Sequence, residues 1–504
     1  MPKVGIWQCV ITALIVALGA PLLHYLWFLL RRIFQRDLPP GPLGLPLLGY
    51  LPFMTKDGHR DIEALRQKYG NVFGLHFGFR YVVFLCDFGS VKEGLSNDAL
   101  LNRAQEFPLN VHEKSQSMTL ANGPPWKEQR RFTMRTFKTL ISTTQTLETH
   151  IHDELSNLVR ELQSCKGEPV PIVSLLASST SNVITALVYG RRFEYGSPER
   201  VKLDELAEVI MSLANQMSAM NFFPWLRRVL SVLHIGAFGR LRSAMLQRDR
   251  FSEAIIGLHE KTYQDGLVRD YIDGFLSEMR RPEQEKKTFT RDVLRSNASS
   301  FLGAASETVR SAVEWLLVMC AAKPEMQNRI RAEVDVVLGQ SGQGSRVLWE
   351  DRGKMPYTQA FIWEMMRFEP INPFGLMRSA SEDTKIGSYV IPRGSVVVPS
   401  LRSIFYDDSF WEDPEVFRPE RFLVDGGTRA SKPERLIPFS YGKRSCPGEL
   451  VANMETFIFL TTILQHFIIE APPSGPAVAF DEVLTISLRP RLQELIFRVR
   501  EVRG

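Results

Sequence analysis

Residues 4–30 form an apolar run broken only by Gln8, Thr12 and His24. A helix needs roughly 20 such residues to cross a bilayer, so this stretch is long enough to span one, with Pro21 as its kink point. Arg31, Arg32 and Arg36 follow it, against Lys3 before it. That excess of cations places the C-terminal side in the cytosol. The competing reading is a cleaved signal sequence. Its apolar part usually spans roughly 7–15 residues and ends at a small-x-small site, and neither condition holds here. The stretch "LPPGPLGLP" at 38–46 comes next. Its prolines fix φ and lack donors, so it reads as a stiff, non-helical spacer. The expected division is an anchor helix at 4–30, a basic and proline-rich hinge at 31–46, and a body at 47–504.

The body has few charges to spare. Over the chain, 61 basic and 56 acidic residues give a net charge of +5, too even a balance for a nucleic-acid binder. Cys9, Cys86, Cys165, Cys320 and Cys446 are odd in number and widely scattered. They form no disulfide framework and point to a reducing compartment. No C-x-x-C or H-E-x-x-H occurs. His150 and His152 are two apart, do not share a helix face, and read as surface residues. Residues 71–86 read as two short strands about a Gly-Phe-Arg turn, and strand signals return at 384–400 and near the C-terminus. From about residue 125 the pattern is mostly helical. The longest helix is expected at 291–322, stopped by Lys323-Pro324. At 1.5 Å per residue it spans roughly 48 Å, enough to cross a large domain. No linker divides the chain after Pro46. The expected fold class is mainly α with small β-sheets (α+β), built as one large domain.

The stretch "FSYGKRSCPG" at 439–448 places a lone thiol between two glycines. A cysteine acts as ligand or nucleophile only as thiolate, which positive charge and aligned N–H groups favour. Lys443 and Arg444 supply charge. Cys446 also lies just before the helical pattern that starts at Glu449, where the helix dipole favours an anion. Gly442 and Gly448 let the backbone turn sharply under a flat object. These are the requirements of an axial haem ligand. Phe439, Gly442, Arg444, Cys446 and Gly448 together fit F-x-x-G-x-R-x-C-x-G. That segment resembles the cysteine loop of the cytochrome P-450 superfamily of haem-thiolate monooxygenases, in its microsomal, N-terminally anchored form.

The resemblance extends to other segments and implies roles for their residues. The cofactor would be haem b, with Cys446 as axial thiolate and Phe439, Arg444 and Gly448 around it. In "PPWKEQRRF" at 124–132, Trp126 and Arg130 share a helix face and would bond a haem propionate. Arg103 in "LNRAQEFP" and Arg378 in "GLMRSASEDT" match two further propionate positions. Glu364 and Arg367, with Arg421 of "FRPERF", would form a buried structural network. The family's Ala/Gly-Gly-x-Asp/Glu-Thr-Thr stretch appears here as Ala304, Ala305, Ser306, Glu307, Thr308 and Val309. Glu307 and Thr308 would deliver protons. Ala305 and Val309 depart from the pattern, and the methyl of Ala305 would narrow the oxygen groove. Ala304, Phe374, Leu376 and Ile486, with Phe222 and Phe223, would line an apolar substrate pocket.

The implied activity is monooxygenation of a lipophile: a steroid, fatty acid, terpenoid or xenobiotic. No glycine-rich nucleotide fingerprint is evident, so a separate NADPH–cytochrome P-450 reductase is the implied electron donor, with cytochrome b5 as a second candidate. Lys127, Arg131 and Arg135 form an i,i+4 row that would dock such an acidic donor. The implied location is the endoplasmic reticulum membrane, crossed once, with the catalytic domain in the cytosol. Residues 220–233 mix aromatics with Arg227 and Arg228 and read as either core or a second membrane contact. Asn297-Ala-Ser is a formal glycosylation sequon, silent on a cytosolic helix. Two other activities fit the cysteine loop: a haem-thiolate isomerase or dehydratase acting on lipid hydroperoxides, and a non-enzymatic haem binder.

Overall fold

The computed structural model describes residues 19, 23, 25, 26, 30, 37–104, 117–142, 145–216, 218–233, 236–281, 288–341, 345–473, 480–485, 487–491 and 494–500. The predicted long helix forms as Arg291–Ala322, the bounds its sequence signals give. Thr290 caps it, its hydroxyl accepting the Val293 N–H at 3.3 Å. Asp292 lies in the first turn, where the helix dipole favours an acid. Pro324 prevents its continuation. Around it pack Ile172–Tyr189, Gly236–Thr262 and Glu449–His466. Trp315, Phe275, Phe361 and Phe457 are fully buried in the shared core, each contributing about 1.5–3 kcal/mol. Asn297 is also buried here, bonded to Met118, Gln129 and Tyr271, so its sequon is sterically closed.

A five-stranded sheet lies to one side of the helices. Val72–Phe77 and Arg80–Leu85 form the predicted hairpin, antiparallel, with Val72 opposite Leu85. Gly78 turns it at φ 54, a conformation that favours glycine. Arg80–Leu85 then pairs in parallel with Val396–Pro399, and Arg378–Ser379 and Asn102–Arg103 complete the sheet. In this register Arg103 stands opposite Arg378. The architecture is the expected one, mainly helical with small sheets.

Three expectations need correction. The hinge is not a free spacer where it is described: Pro40 O accepts the Gly74 N–H at 2.7 Å, Asp37 O accepts the Val390 N–H at 2.7 Å, and Leu38 is buried. Proline-rich backbone keeps its carbonyls, and here strands supply the donors. His152 is buried, not exposed, and burial pushes its imidazole down to about 4. Phe222 and Phe223 pack on Phe77 and Phe79 of the hairpin, at ring separations of 5.2 and 5.9 Å, and Phe374 packs on Phe84 at 6.2 Å. None of these three lines the central cavity. The anchor run at 4–30 lies outside the described residues except for Gly19, Leu23, Tyr25, Leu26 and Leu30. Among the described residues, Ile172–Tyr189 is the one helix long and apolar enough to cross a membrane, yet it is 78% buried within the protein.

Candidate functional site

Glu364 and Arg367 lie on Pro356–Phe368 and are both fully buried. Arg367 Nε and Nη2 donate to the Glu364 carboxylate at 2.7 and 2.9 Å. Arg421 Nε donates to the same carboxylate at 3.1 Å, and the Arg418 N–H at 2.7 Å. Backbone carbonyls of Phe405, Glu412 and Val416 take other guanidinium protons. Every charge in this network has a partner, as a buried ion pair requires.

The cysteine loop reaches its shape through its backbone. The Cys446 N–H donates to Phe439 O at 2.9 Å, and the Ser445 N–H to Gly442 O at 3.0 Å. Gly442 has φ 75, and a Cβ there would meet Leu95 O at 2.5 Å, so no larger residue fits. Gly448 has φ −95 and caps Glu449–His466. Its role is not the turn; its N–H reaches toward the sulfur and favours the thiolate.

The flanking cations do not act as expected. Lys443 points outward to Asp98 at 2.5 Å. Arg444 turns away, donating to Leu101 O at 3.0 Å and Ala121 O at 2.7 Å with its guanidinium over Trp126. Burial pushes the Cys446 thiol up to about 11, against the opposing pull of Gly448 and Arg130. Neighbouring charge therefore does not ionise this sulfur, whereas coordination to a metal does so outright.

Four arginines converge beside the loop. Arg103 donates to Thr119 O and Leu376 O at 3.2 and 3.0 Å. Arg130 donates to Ser445 Oγ at 3.4 Å. Arg378 is 1% exposed, and its Nε and Nη1 have no hydrogen-bond partner. Burial, reinforced by the other guanidiniums, lowers Arg378 and Arg444 to about 8 and Arg103 to about 10. Among the described residues no carboxylate pairs with any of the four. Such a cluster is unfavourable without an anionic ligand, and two carboxylates of a flat cofactor would satisfy it.

A cavity of about 660 Å³ adjoins the cluster. Phe439, Cys446, Gly448 and Val451 line it, as do Arg103, Trp126, Arg130, Arg444 and Leu376. The long helix contributes Ala304, Ala305, Glu307, Thr308 and Val309. Sequence-predicted Ile486 lies outside the described residues. The Thr308 hydroxyl donates to Ala304 O one turn back, at 2.8 Å. Glu307 accepts from Arg310 Nη2 at 2.5 Å and Ser487 Oγ at 3.3 Å. Arg310 Nε also lies 3.4 Å from Glu314. Arg310 and Glu314 went unnoticed in the sequence, although their spacing of three and four from Glu307 and Arg310 places them on one helix face. On Gly123–Ser142, Lys127 and Arg131 are exposed, while Arg135 is tied to Glu278.

Residues 39–497 match the family described as cytochrome P-450. Cytochrome P-450 2J1 of Oryctolagus cuniculus is 32% identical over 478 residues, covering 94% of this chain and 92% of its own length. Cytochrome P-450 2J2 of Homo sapiens is 30% identical over 467 residues, covering 92% and 91%. Cytochrome P-450 2B2 of Rattus norvegicus is 33% identical over 442 residues, covering 86% and 87%. An iron porphyrin bearing two carboxylates answers both the thiol and the unpaired guanidiniums. The chain belongs to the cytochrome P-450 family, and is accordingly a monooxygenase that carries haem b on a cysteine thiolate.

Proposed function

We propose that Cys446 is the axial thiolate and that Arg103, Arg130, Arg378 and Arg444 hold the two propionates. The observation carrying this reading is the set of four guanidiniums without a carboxylate beside the cysteine loop. Trp126 braces Arg444 from below. Phe439 anchors the loop, and the Gly448 N–H steadies the sulfur. Glu364, Arg367 and Arg421 hold the fold around the loop. The bound haem supplies dioxygen activation and insertion of one oxygen atom into a C–H or C=C bond, consuming two electrons and two protons. Thr308 and Glu307 border the cavity and order the water that brings those protons. Arg310 and Ser487 fix the carboxylate of Glu307. The Ala305 methyl narrows the groove.

The cavity wall is largely apolar, with Ala304 and Leu376 on it. It suits a lipophilic substrate: a steroid, fatty acid, terpenoid or xenobiotic. Ile486 remains a candidate for the same wall. Electrons come from an NADPH–cytochrome P-450 reductase, with cytochrome b5 as a second donor, at the exposed cations Lys127 and Arg131. Arg135 contributes less, because Glu278 already neutralises it. An anchor at 4–30 and a basic, proline-rich segment at 31–46 ahead of a body at 47–504 would make this a single-pass endoplasmic reticulum protein with its catalytic domain in the cytosol. Val229, Val232 and Leu233 form an exposed apolar ridge on Pro224–Leu233, a second membrane contact beside the anchor.

The test is spectroscopic. Reduced protein with carbon monoxide should give the strongly red-shifted Soret band of thiolate-ligated haem. Cys446→Ala should lose that band. A normal Soret maximum in the folded wild type would sink the assignment.

A further inference from the structure

One buried cation of the cavity is left over by this reading. Arg248 lies on Gly236–Thr262, which packs on the long helix, and is 8% exposed. Its Nε donates to Ser299 Oγ at 2.8 Å, and Ser299 donates onward to Asp249 at 2.7 Å. Its two terminal nitrogens have no hydrogen-bond partner among the described residues, and no carboxylate there pairs with them. The side chain borders the cavity. Neighbouring arginines are placed differently. Arg295 pairs with Asp292 at 2.9 Å and Arg291 with Glu253 at 2.6 Å, while Arg250 is exposed. Burial depresses the Arg248 pKa, with Asp249 opposing.

A glycine makes room for this guanidinium. A Cβ at Gly303 would come within 2.5 Å of Arg248 Nη1. Glycine inside a helix costs about 1 kcal/mol relative to alanine, so the bare position works against the helix while admitting the cation. Gly303 immediately precedes Ala304 on the cavity wall. Ile184, Leu187, Met211, Met245 and Phe301 line the same cavity. Asp249 and Glu253 also border it, the first bonded by Ser299 and the second by Arg291. A mostly apolar wall with one buried guanidinium outside the arginine cluster, its terminal nitrogens unpaired, matches an amphiphile: a long apolar body ending in a carboxylate, which the planar fork can grip through two hydrogen bonds.

We propose that Arg248 anchors the carboxylate of a lipophilic acid, so that the enzyme takes such acids in preference to their neutral counterparts. The proposal rests on the reading of the cavity as a lipophile site and narrows it. The haem-loaded protein is titrated with dodecanoic acid, its methyl ester and dodecylamine, following the Soret shift on binding. The acid should bind about tenfold tighter than the ester or more, as loss of one charge-assisted hydrogen-bond pair implies, with the amine weakest. Arg248→Gln should bring acid and ester within about twofold of each other. Gly303→Ala displaces the guanidinium in a helix that alanine favours, and should narrow the preference of acid over ester. Equal binding of acid and ester by the wild type overturns the proposal and leaves the lipophile reading intact. So does an acid preference that survives in both variants. If none of the three binds, nor any neutral steroid or terpenoid, the lipophile reading falls too. Should Arg248→Gln fail to fold, the wild-type comparison and Gly303→Ala decide.

Discussion

Two groups of buried arginines lie in this protein, and they differ in one respect. Around Glu364, the guanidiniums of Arg367 and Arg421 meet a carboxylate and a set of backbone carbonyls. Around Arg378, four guanidiniums meet carbonyls, a hydroxyl and one another. In the first group each guanidinium already reaches a carboxylate, so the group is closed to a ligand and holds the fold. The second lacks an anion, so its favourable state includes a ligand. Burial alone does not separate a structural charge from a binding charge; the accounting of partners does.

The sharpest way to break this contrast is Glu364→Gln. It strands two buried guanidiniums and should destabilise the protein by about 3–5 kcal/mol, read by denaturant unfolding of the haem-loaded chain. A loss under about 1 kcal/mol would mean the closed network carries little of the fold. Arg378→Leu should act in the opposite direction on the haem-free protein, stabilising it by about 1–3 kcal/mol by removing unpaired buried donors. The same variant should release haem faster to a scavenger protein. Destabilised haem-free protein would mean that the cluster is closed by contacts of its own.

The smallest effect belongs to exposed cations. Lys127→Glu with Arg131→Glu should raise the reductase concentration for half-maximal turnover by about 2- to 10-fold, less at high salt. No change at low salt would move the docking face elsewhere.

Short-range signals were legible at both levels. The long helix could be bounded because its cap and its terminating proline are local. The cysteine loop could be recognised because five residues in ten fix its turn and its helix start. The one acid and six bases of the closed and open clusters sit in separate segments whose motifs are each readable in the sequence. Which cations serve the sulfur is not a local property: Lys443 and Arg444 are adjacent in sequence, yet they point to Asp98 and to Leu101. The resemblance puts Phe374 on the cavity with Leu376 of the same segment, but its ring packs on Phe84, beside a strand bridge with Ser400. Arg248 left no mark at all. Its meaning depends on Gly303, more than fifty positions away, and on terminal nitrogens that no carboxylate among the described residues meets.

The sequence by itself determined the helix-rich class, the thiolate loop and the chemistry that loop supports, because turns, caps and residue spacing act over a few residues. Only the tertiary structure decided which buried charges are closed and which are open. Arg103 comes opposite Arg378 through strand pairing although the two lie 275 positions apart, and Arg248 meets Ser299 through helix packing. The electrostatic energy of a buried group depends on every partner within a few ångströms, and those partners come from segments that no local pattern connects.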